Sequence, residues 1–293
     1  MAETSNDVRP DWVDDTLFPF GSRFVDIDGH TVHYIDEGAG PTLLFLHGNP
    51  TWSFLWRDVI TALRKDFRCI ALDYPGFGLS TPKPGYRYLP EEHADVVTEF
   101  VDTLGLDGVT LVGQDWGGLI GVAVAQRRPG SFERLVLANT WAWPVNGVLH
   151  FEAFGHIVGN PLSRLLIRQF NLLVNAFIPT GHHRRKPTDA EMNHYRRALD
   201  TTDRRQASAI LPSRVLASRE FFAEIEAHLP DVAHLPTLIV WGDADIAFRA
   251  QERQRLEATF ADHTTVIVEG AGTYVESDAP DEFVTAIRDF AKT

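Results

Sequence analysis

The segment Val112-Gly113-Gln114-Asp115-Trp116-Gly117-Gly118 sets a single acid among small residues, after an apolar run and before a helical one. So sharp a turn forces its central residue into strained backbone geometry, and small neighbours make room for it. The Asp115 side chain then projects from the carboxyl end of a strand over a helix N-terminus, where backbone N–H groups favour negative charge. A carboxylate placed there suits attack on a saturated carbon. The departing anion needs donors, and the resulting ester can be hydrolysed at its own carbonyl. Capping the helix is the plainer role for Asp115, but the glycines on both sides favour the strained turn. A second loop, His47-Gly48-Asn49-Pro50, follows another apolar run. The Asn49 amide and the Trp116 indole are neutral donors, and two such donors facing a dry cavity hold a halide without binding cations. His47 reads as a structural histidine, not a base.

These loops need a sheet to bring them together. Continuous apolar runs at Thr42–Leu46, 69–72, 109–112, 135–138, 237–241 and 264–268 have the pattern of strands buried on both faces. A hairpin turning at Gly29 joins 24–27 to 31–35. Helical periodicity covers 91–104, 119–128 and 281–291. The alternation predicts an α/β fold, a mainly parallel eight-stranded sheet flanked by helices. It stops between residues 144 and 214, where Leu162, Leu165, Leu166 and Phe170 recur at helical spacing. That stretch reads as a helical insertion after the sixth strand, dividing the chain into a core of 1–143 with 215–293 and an inserted unit of 144–214. The basic cluster His182-His183-Arg184-Arg185-Lys186 reads as a solvated turn before a capped helix starting near Thr188.

Composition narrows the function classes. The 293 residues carry 27 Lys and Arg against 40 Asp and Glu, a net charge of −13. An acidic surface repels phosphate backbones and anionic bilayers, so neither nucleic acid nor membrane is expected as a partner. One cysteine, Cys69, allows no intrachain disulfide and fits a reducing compartment. The opening residues lack the basic and apolar regions of a signal peptide, and no apolar run approaches the roughly 20 residues of a membrane span. A cytoplasmic location is expected. His182-His183 lacks a third metal ligand at a sensible spacing, and no phosphate loop occurs. The expected cofactor and metal complement is therefore none.

The two loop motifs together resemble the haloalkane dehalogenases, a family of α/β-hydrolases. The likeness extends over nearly the whole chain. It includes His47-Gly48-Asn49-Pro50-Thr51-Trp52-Ser53, Pro75-Gly76-Phe77-Gly78-Leu79-Ser80, Gly113–Gly118 and the Asp278-Ala279-Pro280 ending. The resemblance implies Asp115 as nucleophile, Asn49 and Trp116 as the halide-stabilising pair, and the backbone N–H groups of the same two residues as the oxyanion hole. It makes the helical insertion a cap over an apolar pocket. The implied substrate is a small halogenated hydrocarbon, with water as co-substrate and halide as product. The family sets its catalytic acid after either of two strands. The first place reads Asn139-Thr140-Trp141, without a carboxylate, while the second holds Asp245, with Asp243 as a turn residue.

One position departs from the family. Its base histidine follows the last strand, and here Gly270-Ala271-Gly272-Thr273-Tyr274 puts Thr273 in that place. Of the twelve histidines only His263 lies beyond Asp245. It precedes the last strand, roughly 20 Å from the reacting end. Glu276 would approach only if its loop were rebuilt, and cap histidines such as His156 have no evident partner. The resemblance thus implies a divided reaction, in which Asp115 displaces halide without a base and the alkyl ester persists. Three alternatives stand beside it. An epoxide hydrolase would draw tyrosine donors from the cap, where Tyr195 is the only one. A coelenterazine luciferase would carry a glutamate where Asn139 stands. A non-turnover scaffold would hold or covalently capture its ligand.

Overall fold

The computed structural model describes residues 9–292. Eight strands form one sheet: β1 Arg23–Ile27, β2 His30–Glu37, β3 Thr42–Leu46, β4 Arg68–Leu72, β5 Val109–Gln114, β6 Phe132–Ala138, β7 Thr237–Gly242 and β8 His263–Val268, in the order β1-β2-β4-β3-β5-β6-β7-β8. The β1–β2 and β2–β4 pairs are antiparallel and the other pairs are parallel. The expected hairpin turns at Asp28-Gly29, both at positive φ (50° and 81°), as a tight two-residue connection requires.

Alternate residues of each central strand serve opposite faces. Leu44 and Leu46 of β3, Leu135 and Leu137 of β6, and Ile239 of β7 join one core cluster. Leu43, Phe45, Val136, Ala138, Leu238 and Val240 join the other. Helices α1 (Arg57–Leu63) and α12 (Pro280–Phe290) cover the second face, while α2 (Pro90–Thr103), α3 (Trp116–Arg127) and α10 (Ala250–Thr259) cover the first.

Between β6 and β7 run α4 (Leu149–Val158), α5 (Pro161–Phe170), α6 (Ile178–Thr180), α7 (Asp189–Ala198), α8 (Gln206–Ala217) and α9 (Arg219–Ala227). The expected boundary at 214/215 falls inside α8. Ala207, Leu211 and Val215 of α8 and Phe222 and Ile225 of α9 all pack in the same cluster as α3. Among the described residues no helix is long and apolar enough to cross a membrane.

Candidate active site

The loops that follow β3, β5, β6, β7 and β8 lie side by side at the carboxyl edge of the sheet, because those five strands are consecutive in space. Each contributes one polar residue: Asn49, Asp115, Asn139, Asp245 and Thr273. Ligands of open parallel sheets bind at this edge.

Asp115 stands alone between β5 and α3, a shorter turn than the periodicity suggested. Its backbone sits at φ 54°, ψ −128°, a strained position for a residue with a side chain. The glycines around it are required by space. A Cβ on Gly117 would strike the Leu46 carbonyl, one on Gly48 would meet the Asp115 side chain, and one on Gly118 would meet Thr140. Thr140 Oγ1 donates to the Asp115 carbonyl oxygen at 2.6 Å, tying the turn to the end of β6.

The Asp115 carboxylate is buried and accepts from the backbone N–H of Trp116. Burial pushes its pKa up to about 8; the charge of Asp245 adds to the rise, and the N–H groups of Trp116 and Asn49 oppose it. The two amides named as an oxyanion hole therefore act on one carboxylate. The Asn49 amide nitrogen donates to the Ser208 carbonyl of α8 at 3.3 Å, placing this donor where the inserted helices meet the sheet edge. The Trp116 indole packs edge-on against Trp141, with centroids 5.0 Å apart, and against Phe222.

Asp245 is buried and fully engaged. Its Oδ1 accepts from Thr273 Oγ1 at 2.8 Å and from the Ala247 N–H at 2.7 Å, and its Oδ2 accepts from Asn139 Nδ2 at 2.9 Å. Asp243 instead accepts from the Gly270 N–H, a turn contact. Thr273 thus occupies the place of a group oriented by Asp245.

The family described as alpha/beta hydrolase fold matches residues 41–278. The chain is 44% identical over 276 residues to haloalkane dehalogenase 2 of Mycobacterium tuberculosis, covering 94% of this chain and 96% of that protein. The chain belongs to the haloalkane dehalogenases. It is also 32% identical to a cis-3-alkyl-4-alkyloxetan-2-one decarboxylase of Shewanella oneidensis, over 94% of this chain and 90% of the relative. Its fold matches that of haloalkane dehalogenase DbeA from Bradyrhizobium elkani, with a TM-score of 0.84, 24% identity, and coverage of 93% and 98% of the two chains.

Within this dehalogenase fold the histidines stand elsewhere. His47 is buried, its Nδ1 donating to the Gly48 carbonyl and its Nε2 accepting from the Tyr74 N–H. Burial lowers its pKa to about 4, so it is neutral at physiological pH. His263 opens β8 at the far edge, and His156 is exposed beside Glu152. None of the twelve, all among the described residues, bonds to Asp115 or Asp245.

Three features escaped the sequence. Asn139, noted there for lacking a carboxylate, clamps Asp245 and also exchanges two hydrogen bonds with the Gly242 backbone. Gln114 donates to the Thr273 carbonyl at 3.0 Å, linking the strained turn to the last loop. The basic cluster is more than a solvated turn. The N–H groups of His183, Arg184 and Arg185 surround the Asp278 carboxylate, and His182 is buried against Tyr274. The capped helix beyond it begins as expected, with Thr188 and Glu191 forming a reciprocal cap. Glu276, expected to approach Asp115 only if its loop were rebuilt, is fully buried in the short helix α11 (Val275–Asp278), where burial, with the charges of Asp115, Asp278 and Asp245, raises its pKa.

Proposed function

We propose that this chain removes halide from small haloalkanes by forming a covalent ester at Asp115, and that hydrolysis of that ester is slow. A carboxylate oxygen of Asp115 bonds to the carbon bearing the halogen, and the carbon–halogen bond breaks with its electron pair leaving as halide. Asn49 and Trp116 receive the halide through side-chain N–H groups, and the helices between β6 and β7 cap the pocket. No proton moves in this step, so no base is required. The observation that carries the reading is the buried Asp115 carboxylate on its strained turn between the two donors. Asp245 orients the hydroxyl of Thr273, which has no proton affinity useful near neutrality, so the water-activating step lacks its usual driver. The single buried thiol suits a cytoplasmic setting.

Halide counting with 1-bromobutane or 1,2-dibromoethane tests the proposal. Release should reach one equivalent per chain rapidly and then slow sharply, and Asp115→Ala should release none. Release by the alanine variant would remove Asp115 from the mechanism. The decarboxylase relative at 32% identity supports a second reading, action on a cis-3-alkyl-4-alkyloxetan-2-one. Carbon dioxide evolved from such a lactone, with no halide from either bromoalkane, would favour it.

A further inference from the structure

Gln114, the last residue of β5, adjoins the nucleophile in sequence and is fully buried. One end of its amide is occupied. Nε2 donates to the Thr273 carbonyl at 3.0 Å, and only the nitrogen can donate there, so the orientation of the amide is fixed. The other end, Oε1, is buried with no protein hydrogen-bond partner. A buried acceptor left open calls for an explanation, and its place supplies one. A Cβ built on Gly48 would stand 2.7 Å from Gln114 Oε1 and 3.0 Å from Asp115 Cγ. The acceptor and the carboxyl carbon thus border one point, and Gly48 carries no side chain to part them. The amide spans from the loop after β8 to the loop after β3, alongside Asp115. Other polar groups of the edge are committed. Thr273 Oγ1 gives its proton to Asp245, and Thr140 Oγ1 gives its own to the Asp115 carbonyl. The Asn49 oxygen is also unpaired, but that amide is drawn toward α8 by its bond to the Ser208 carbonyl.

We infer that Gln114 holds the water that hydrolyses the Asp115 ester, accepting a hydrogen bond from it at Oε1 within reach of Cγ. The inference rests on the displacement reading above. A glutamine can aim an attacking water without taking its proton. With one O–H directed at Gln114 Oε1, the water turns a lone pair toward Cγ. Its oxygen bonds to Cγ, and the carbonyl pair moves to the oxyanion, which the N–H groups of Asn49 and Trp116 receive. The acyl–oxygen bond then breaks, and the departing oxygen takes one proton of the added water and leaves as alcohol. The other proton stays on the Asp115 carboxyl and passes to solvent as the carboxylate is restored. One halide, one alcohol and one proton leave per substrate. Gln114 gains and loses no proton, so it acts through orientation alone, and the step stays slow.

The test starts from the adduct. Protein loaded with 1-bromobutane and freed of excess reagent is followed by intact mass in ¹⁸O water. Decay should place ¹⁸O in the Asp115 carboxylate; ¹⁸O in the butanol, or an adduct that never decays, would overturn the inference. Gln114→Met removes the acceptor and should slow decay about tenfold, the scale of one neutral hydrogen bond. Gln114→Glu keeps an oxygen acceptor at the same reach and should decay faster than Gln114→Met. Equal decay in the unmodified protein and the Met variant would overturn the inference. Equal slowing in both variants would also overturn it, since both lose the amide N–H that holds Thr273. If neither variant folds, the unmodified adduct still decides. A neutral amide does not titrate, so decay should run at one rate from pH 6 to pH 9, and a rate that climbs with pH would overturn the inference. Failure of the unmodified protein to form any adduct would instead defeat the displacement reading, and this inference with it.

Discussion

On the proposed mechanism Asp115 attacks carbon in its ionised form, yet its site favours the proton. Burial raises its pKa from 3.8 to about 8. For a carboxyl raised on folding, the native state is favoured at low pH and loses stability as pH climbs from the unfolded value through the folded one. Asp115→Asn should therefore stabilise the fold. The gain should be small near pH 4 and grow to about 3 kcal/mol at pH 8, at 1.36 kcal/mol per unit and allowing for relaxation. Chemical denaturation of both proteins across that range checks this, and an Asn variant less stable than the parent at pH 8 would contradict it. The same pKa governs rate: the single-turnover halide burst should quicken from pH 6 and level off above about pH 8, which stopped-flow halide detection can follow. At the neighbouring position, bromide or iodide bound beside Trp116 should quench part of the emission of the seven tryptophans. Trp116→Phe should abolish that part, and unchanged quenching would place the halide elsewhere.

At the scale of elements, the turns decide the chemistry and the strands decide where the turns meet. The buried strands were legible because residues covered on both faces are mostly apolar: all six residues of β7 are buried, and Leu238, Ile239, Val240 and Trp241 form its apolar run. The loops after β3 and β5 announced themselves by small residues that close approach demands. What stayed hidden depends on contacts between distant loops. The Asn139 clamp on Asp245 joins residues 106 apart, and neither residue type signals it. The burial of Glu276 arises where α11 meets the turn at Ser53–Trp56, and a four-residue helix has too few positions to show a periodicity. The cluster at His182–Lys186 looked solvated because its charges are visible in sequence while its backbone contacts to Asp278 are not. The turn after β8 gives the clearest prediction at this scale. Thr273 Oγ1 already lies 2.8 Å from the Asp245 carboxylate, so an imidazole at that position would be oriented by the same oxygen. Thr273→His should raise steady-state turnover of short bromoalkanes by about 10²-fold or more. Steady-state halide release checks it, and no gain would mean that the loop cannot aim the ring.

Across the whole molecule, one continuous sheet separates support from chemistry. Its two faces bury the apolar clusters under helices, while its carboxyl edge gathers Asn49, Asp115, Asn139, Asp245 and Thr273 from five neighbouring strands. Charge is also unevenly spread: residues 144–214 hold ten Lys and Arg against five Asp and Glu in a chain of net charge −13. Several of those cations are spent within the fold, Arg204 on the Gly78 carbonyl and Arg205 on the Leu199 carbonyl, which ties the inserted helices to each other and to the core. On the proposed mechanism, this architecture serves the displacement step and puts Thr273 where the hydrolytic step would need a base. The measurement that tests this division most directly is the intact mass of the whole protein after seconds of exposure to 1-bromobutane, with released bromide counted in the same sample. The account predicts one butyl group per chain on the peptide containing Asp115, one bromide per chain in the burst, and neither in Asp115→Ala. Rapid, sustained bromide release with no adduct would contradict it.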